Sequence, residues 1–167
     1  IKQAVSQGAK RGLFSNEAGM GSTPHAHALA KVEKPQDQGI TAMIGVFLTT
    51  FVILTLTALV ILSTEAAASG LTGAALSQYA FATVFGKAGN VFIALCMLFF
   101  AFSTIVGWYL FGQMNVKVLL GERAVKPYAL LVVMFIAVGA CLKVQLVWDA
   151  ADLFNGLMVL PNLLALL

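Results

Sequence analysis

Charged residues fall in small groups along the chain, and the stretches between those groups are almost wholly apolar. Residues 39–64 carry no charge over 26 positions, and residues 88–116 carry none over 29. Each run is longer than the roughly 20 residues an α-helix needs to cross a bilayer. Residues 127–142 form a shorter uncharged run that can be extended at both ends, and residues 153–167 form another, with Asp149 and Asp152 at its entrance. This pattern predicts helical spans at 38–64, 88–121, 126–143 and 146–167. Between the first two spans, residues 65–87 are rich in small residues and then in aromatic ones. They have a partly helical look but are too weak to count as a span.

The first thirty residues behave differently. They are moderately apolar yet interrupted by Gly8, Gly12, Gly19 and Gly21, each of which lowers helix stability by about 1 kcal/mol relative to alanine. Ser22 and Thr23 are good N-cap residues, and Pro24 suits the first helical position. A helix should therefore stop near residues 13–16 and restart at Pro24, giving a discontinuous helix over 3–31.

Composition confirms the solvent. The 167 residues are 60% hydrophobic and only 10% charged, against about 25% charged in ordinary soluble domains. So small a chain cannot hide that much apolar surface from water, and a bilayer can accept it. The class expected is an all-α, multi-pass membrane protein of the cell (inner) membrane. A net charge of +3, scattered singly or in pairs, gives no nucleic-acid footprint. Cys96 and Cys141 lie within apolar runs and read as small hydrophobes. The start at Ile1 and the stop inside an apolar run read as those of a fragment. The distribution of Lys and Arg places residues 31–38 and 117–126 in the cytoplasm and the loop 65–87 outside.

The string GAKRGLFSNEAGMGSTPHAHALAK at 8–31 resembles the sodium:alanine (alanine or glycine:cation) symporter family. The resemblance continues through FAFSTIVGWYLFGQ, GERAVKPY and the terminal DLFNGLMVLPNLLALL. It implies secondary active transport of alanine or glycine, with sodium or a proton as coupling ion and no other cofactor. It also implies a leucine-transporter-like fold of inverted five-helix repeats. This chain would then be the second repeat, and its partner would be the missing N-terminal half.

The chemistry centres on the break, Phe14, Ser15, Asn16, Glu17, Ala18, Gly19, Met20 and Gly21. Unwound backbone offers carbonyls to a cation and amides to a carboxylate, and hard cations take oxygen ligands. A glutamate inside a membrane segment needs a partner or a role. Glu17 either serves the site or pairs with Lys10 or Arg11. By the resemblance, Phe14 matches an aromatic lid over the substrate and Ser15 a hydroxyl that helps bind sodium. Ala101, Ser103 and Thr104 match a second sodium site. Ile105 stands where some relatives of the fold carry a further hydroxyl. The plain alternative for Ser103 and Thr104 is bonding back to a preceding helical carbonyl. Thr49, Thr50, Thr55 and Thr57 read as packing or helix-bending residues. Asp149 and Asp152 could close an outer gate with a cation, or simply complement a helix N-terminus.

Other chemistries fit poorly. His25 and His27 are two apart, so a helix turns them to different sides, and they read as ordinary polar residues. Trp108 and Tyr109 read as anchoring or packing groups. Gly19-Met20-Gly21 begins a GxG, but Pro24 replaces the third glycine and no strand precedes it. For a membrane enzyme the sequence offers no GxSxG, no HExxH and no His near Ser103, and a passive channel would show itself by currents beyond the coupled stoichiometry, without substrate saturation.

Overall fold

The computed structural model describes residues 1–17 and 19–167; Ala18 lies outside the described residues. The described chain is helical throughout its regular structure and divides into two compact units, residues 1–31 with 107–167, and residues 32–106.

The second of these units opens with α3 (Pro35–Phe47), whose first helical position is a proline. It passes through a π turn (Leu48–Ile53) into α4 (Leu54–Ser63). The hydroxyls of Thr49 and Thr57 donate to the carbonyls of Gly45 and Ile53, each at 2.9 Å. Such bonds to the preceding turn loosen the regular helical ladder. The chain then reverses through a 3₁₀ turn (Ala66–Ser69) bracketed by left-handed Glu65 and Gly70. The expected outer loop is thus structured, since α5 (Gly73–Phe85) packs beside α4. At Gly86 the chain enters α6 (Lys87–Leu120). Here α5 and α6 approach so closely that a Cβ at Gly89 would strike the Phe81 backbone. Phe81 also packs against Phe85 and Phe92, with ring centroids 6.3 and 5.8 Å away.

The other unit begins with α1 (Lys2–Ser15), breaks, and resumes as a short α2 (Thr23–His27). The half-helix after the break is shorter than the expected run to 31. From Ala28 the chain closes tight turns instead, with Leu29 and Ala30 amides donating three residues back to Ala26 and His27. The C-terminal part of α6 follows. Gly121, at φ 83°, and a 3₁₀ turn lead into α7 (Val125–Cys141), and α8 (Val144–Leu166) completes the unit. A Cβ at Gly112 would collide with the Tyr128 hydroxyl, so this glycine lets Tyr128 lie against α6, stacked on Tyr109 at 5.6 Å.

Three stretches are long and apolar enough to cross a membrane among the described residues: Pro35–Ser63, Lys87–Leu120 and Glu122–Cys141. Their large side chains face outward. Phe99 is 67% exposed and Phe135 67%. Water would penalise such a surface, whereas acyl chains accept it. This is a membrane protein.

Candidate functional site

Among the described residues of the connection from Ser15 to Thr23, Glu17 (φ 50°), Gly19 (φ 78°) and Gly21 (φ 76°) are left-handed. Glycine reaches this region without cost, whereas Glu17 needs local support. The support is Ser22, which is buried and donates its hydroxyl to the Glu17 carboxylate. Backbone bonds tighten the same turn, with the Glu17 amide on the Phe14 carbonyl at 3.1 Å and the Met20 amide on the Glu17 carbonyl at 3.2 Å. Ser22 stands at the N-cap of α2 but makes no side-chain cap bond. A charged acceptor outcompetes a backbone amide for one hydroxyl.

The rival pairing of Glu17 with Lys10 or Arg11 is corrected here. Both cations reach Asp152 on α8, Lys10 at 2.7 Å and Arg11 at 3.1 Å. Arg11 also lies 4.3 Å over the Trp148 ring, and Phe14 meets that ring edge-on with centroids 5.8 Å apart. One cluster therefore joins the end of α1 to α8 through charge pairing, cation–π attraction and aromatic contact. The helix-dipole reading of the two aspartates does not describe them, because α8 starts at Val144 and its first turn holds no acid. Asp149 instead accepts from Gln145 at 3.0 Å.

Below the break, Met20, Gly21 and Ser22 line a cavity of about 390 Å³ with His25, with Trp108, Phe111 and Asn115 of α6, and with Tyr128 of α7. Met158 and Pro161 of α8 close it. Trp108 packs edge-on against Phe111 at 5.9 Å, so it forms a cavity wall as well as a packing contact. Asn162, the residue after Pro161, donates its amide to the Gly19 carbonyl at 3.0 Å. It sits so close to Gly21 that a Cβ there would come within 2.6 Å of its Oδ1.

The structure thus gathers Phe14, Glu17, Gly19, Met20 and Gly21 into one segment held by α8. Ser15 and Asn16 belong to the same segment, Ser15 exposed and Asn16 half-buried. Ala101, Ser103 and Thr104 lie in the other compact unit, on exposed positions of α6. The Ser103 hydroxyl bonds back to the Phe100 carbonyl at 3.1 Å. Sequence reasoning missed Asn115 and Asn162. Both are polar residues inside apolar helices, and that was the available signal.

A family model described as the sodium:alanine symporter family matches residues 1–167. The chain belongs to the sodium:alanine symporter family. It is 43% identical to the probable sodium/glutamine symporter GlnT of Bacillus subtilis, over 98% of this chain and 34% of that protein. It is 39% identical to the sodium/alanine symporter AgcS of Methanococcus maripaludis, over 100% of this chain and 38% of that protein. A sodium/proton-dependent alanine carrier protein of Bacillus sp. matches at 34% identity, over 100% of this chain and 42% of that protein. The chain therefore spans well under half the length of these relatives. No solved structure matches it.

Proposed function

We propose that this chain is the second inverted repeat of a sodium-coupled symporter for a small neutral amino acid, alanine or glycine, in the plasma membrane. One observation carries the reading. In a member of the sodium:alanine symporter family, the break between Ser15 and Thr23 turns backbone groups out of a helix and is braced by Glu17–Ser22 and by Asn162. Unwound backbone at mid-membrane supplies amides for a carboxylate and carbonyls for a cation. Phe14 is the lid over the bound substrate. Sodium takes oxygen from Ser15 at the break, and a second sodium takes it at a separate site from the Ala101 carbonyl and the Ser103 and Thr104 hydroxyls on α6. Asp152, with Lys10 and Arg11, closes the outer side, with Asp149 beside it.

Coupling requires that both ligands favour the same conformer. The test is uptake of labelled alanine by the full-length protein in proteoliposomes, with imposed sodium or proton gradients. Uptake that follows the sodium gradient is expected. Uptake driven by a proton gradient alone transfers the same site to proton coupling. No uptake under either gradient refutes the reading.

A further inference from the structure

His25 has a more defined environment than an ordinary polar residue of a short helix. Its Nδ1 lies 3.0 Å from the Ser22 carbonyl, and its Nε2 lies 3.1 Å from Nδ2 of Asn115 on α6. The Asn115 Nδ2 also donates to the Phe111 carbonyl at 2.9 Å. Two backbone carbonyls fix the chemistry of this chain of contacts, because a carbonyl only accepts. The Ser22 carbonyl requires a hydrogen on Nδ1 of His25. The Phe111 carbonyl requires that Asn115 present its amide nitrogen, and the second hydrogen of that nitrogen points at Nε2. Nε2 must then be a bare acceptor. The arrangement is complete only for neutral imidazole in the Nδ1–H form.

We propose that His25 is a proton-binding latch on the broken helix: neutral, it ties α2 to α6 through Asn115, and protonated, it lets go. A proton taken from water adds to the Nε2 lone pair. The new N–H then faces the Asn115 amide group, donor against donor. Turning the amide to offer its oxygen would give up the bond to Phe111, so protonation costs a contact either way. Among the described residues that line the cavity with His25 none is an acid, and the Phe111 ring lies 6.0 Å from the imidazole. The break brings Glu17, which is already engaged by Ser22. The short helix itself brings His27, and α7 brings Tyr128. From α6 the cavity wall is Trp108, Phe111 and Asn115, and from α8 it is Met158 and Pro161. Lys117, further along α6, is paired with Glu122 at 2.8 Å.

The same residues wall the cavity below the break, so loss of the tie loosens the site that the proposed function rests on. Acid on this side should therefore weaken substrate binding.

The test uses the purified full-length transporter and has two parts. Nitrogen NMR of histidine-labelled protein, with the His25→Gln variant used to assign the resonance, should show the neutral Nδ1–H form at the alkaline end of a pH series and the doubly protonated ring at its acid end. An Nε2–H form at the alkaline end overturns the proposal. Binding of labelled alanine at saturating sodium should weaken about fivefold from the alkaline to the acid end, as expected for one hydrogen bond. His25→Gln should flatten that dependence. Asn115→Asp should reverse it, because a carboxylate accepts from the charged ring. A wild-type slope in both variants overturns the proposal. Should Asn115→Asp fail to fold, the tautomer and the His25→Gln slope still decide; should His25→Gln fail to fold, His25→Asn takes its place in the assignment and the slope. Absence of alanine binding at every pH would refute the transport reading while leaving the tautomer and its titration to be judged on their own.

Discussion

Replacing Gly21 with alanine gives a sharp test of how the break is built. Gly21 has φ 76°, and a Cβ there would lie 2.6 Å from Oδ1 and 2.8 Å from Cγ of Asn162. The left-handed backbone alone costs a residue with a side chain about 1–2 kcal/mol. Asn162 must also move, and the bond from its amide to the Gly19 carbonyl is worth about 1 kcal/mol. The sum, about 2–3 kcal/mol, corresponds to roughly a 30- to 150-fold shift in the population of the intact break. Gly19 supplies the control, since it shares the left-handed geometry at φ 78° but has nothing within 4 Å of its Cβ position. Gly19→Ala should therefore cost only the backbone part. Initial alanine uptake and chemical denaturation of the full-length protein should both rank Gly21→Ala as the more damaging. Asn162→Ala should add little to Gly21→Ala, because the bond it removes is already lost. Equal damage at the two glycines, or strictly additive effects of Gly21→Ala and Asn162→Ala, would refute the reasoning.

Three further outcomes follow from the same contacts. Gly112→Ala should expel Tyr128 and cost about 1–3 kcal/mol of stability by overpacking; Tyr128→Phe, which removes the colliding hydroxyl, should recover part of it in thermal unfolding. Asp152→Asn should strand Lys10 and Arg11 and lower uptake several-fold, more so at low ionic strength, where exposed charges are less screened, whereas Lys10→Met should be milder because Arg11 still holds Asp152. Thr104→Ala and Ser103→Ala should each raise the sodium concentration for half-maximal uptake about tenfold, the loss of one ligand contact, because the Ser103 hydroxyl that donates to the Phe100 carbonyl keeps its lone pairs for the cation.

The features legible in the sequence are those with local causes. Long uncharged runs mark the helices because the requirement for about 20 apolar residues acts on each segment separately. Gly19, Gly21 and Pro24 mark the interruption because φ and helix propensity are properties of single residues. The partners of the break were not legible. Nothing in the spacing says that Lys10 and Arg11 turn toward Asp152, 141 residues along the chain from Arg11, or that Asn162 reaches back to Gly19. Glu17 shows the limit well. An acid inside a membrane segment announces that it needs a partner, and two cations stood close by in sequence, yet the hydroxyl of Ser22 took the role because the left-handed turn brings it round. The helix inside the loop 65–87 agrees with the partly helical look of that stretch, and at 13 residues α5 is too short to cross a bilayer.

The π turn at Leu48–Ile53 has a consequence for the phase of its helix. A π turn holds one residue more than an α turn, so it rotates everything after it by about 100° around the axis relative to an uninterrupted helix. The faces that α3 and α4 present are thereby set independently, although Pro35–Ser63 reads as one rod. Removing a single residue from 48–53 would leave a regular helix and keep the α4 face on α5, whereas removing one from the regular turns of α3 would rotate that face by about 100°. In this element the π turn is the one place where a deletion is absorbed, and everywhere else a deletion acts as a rotation.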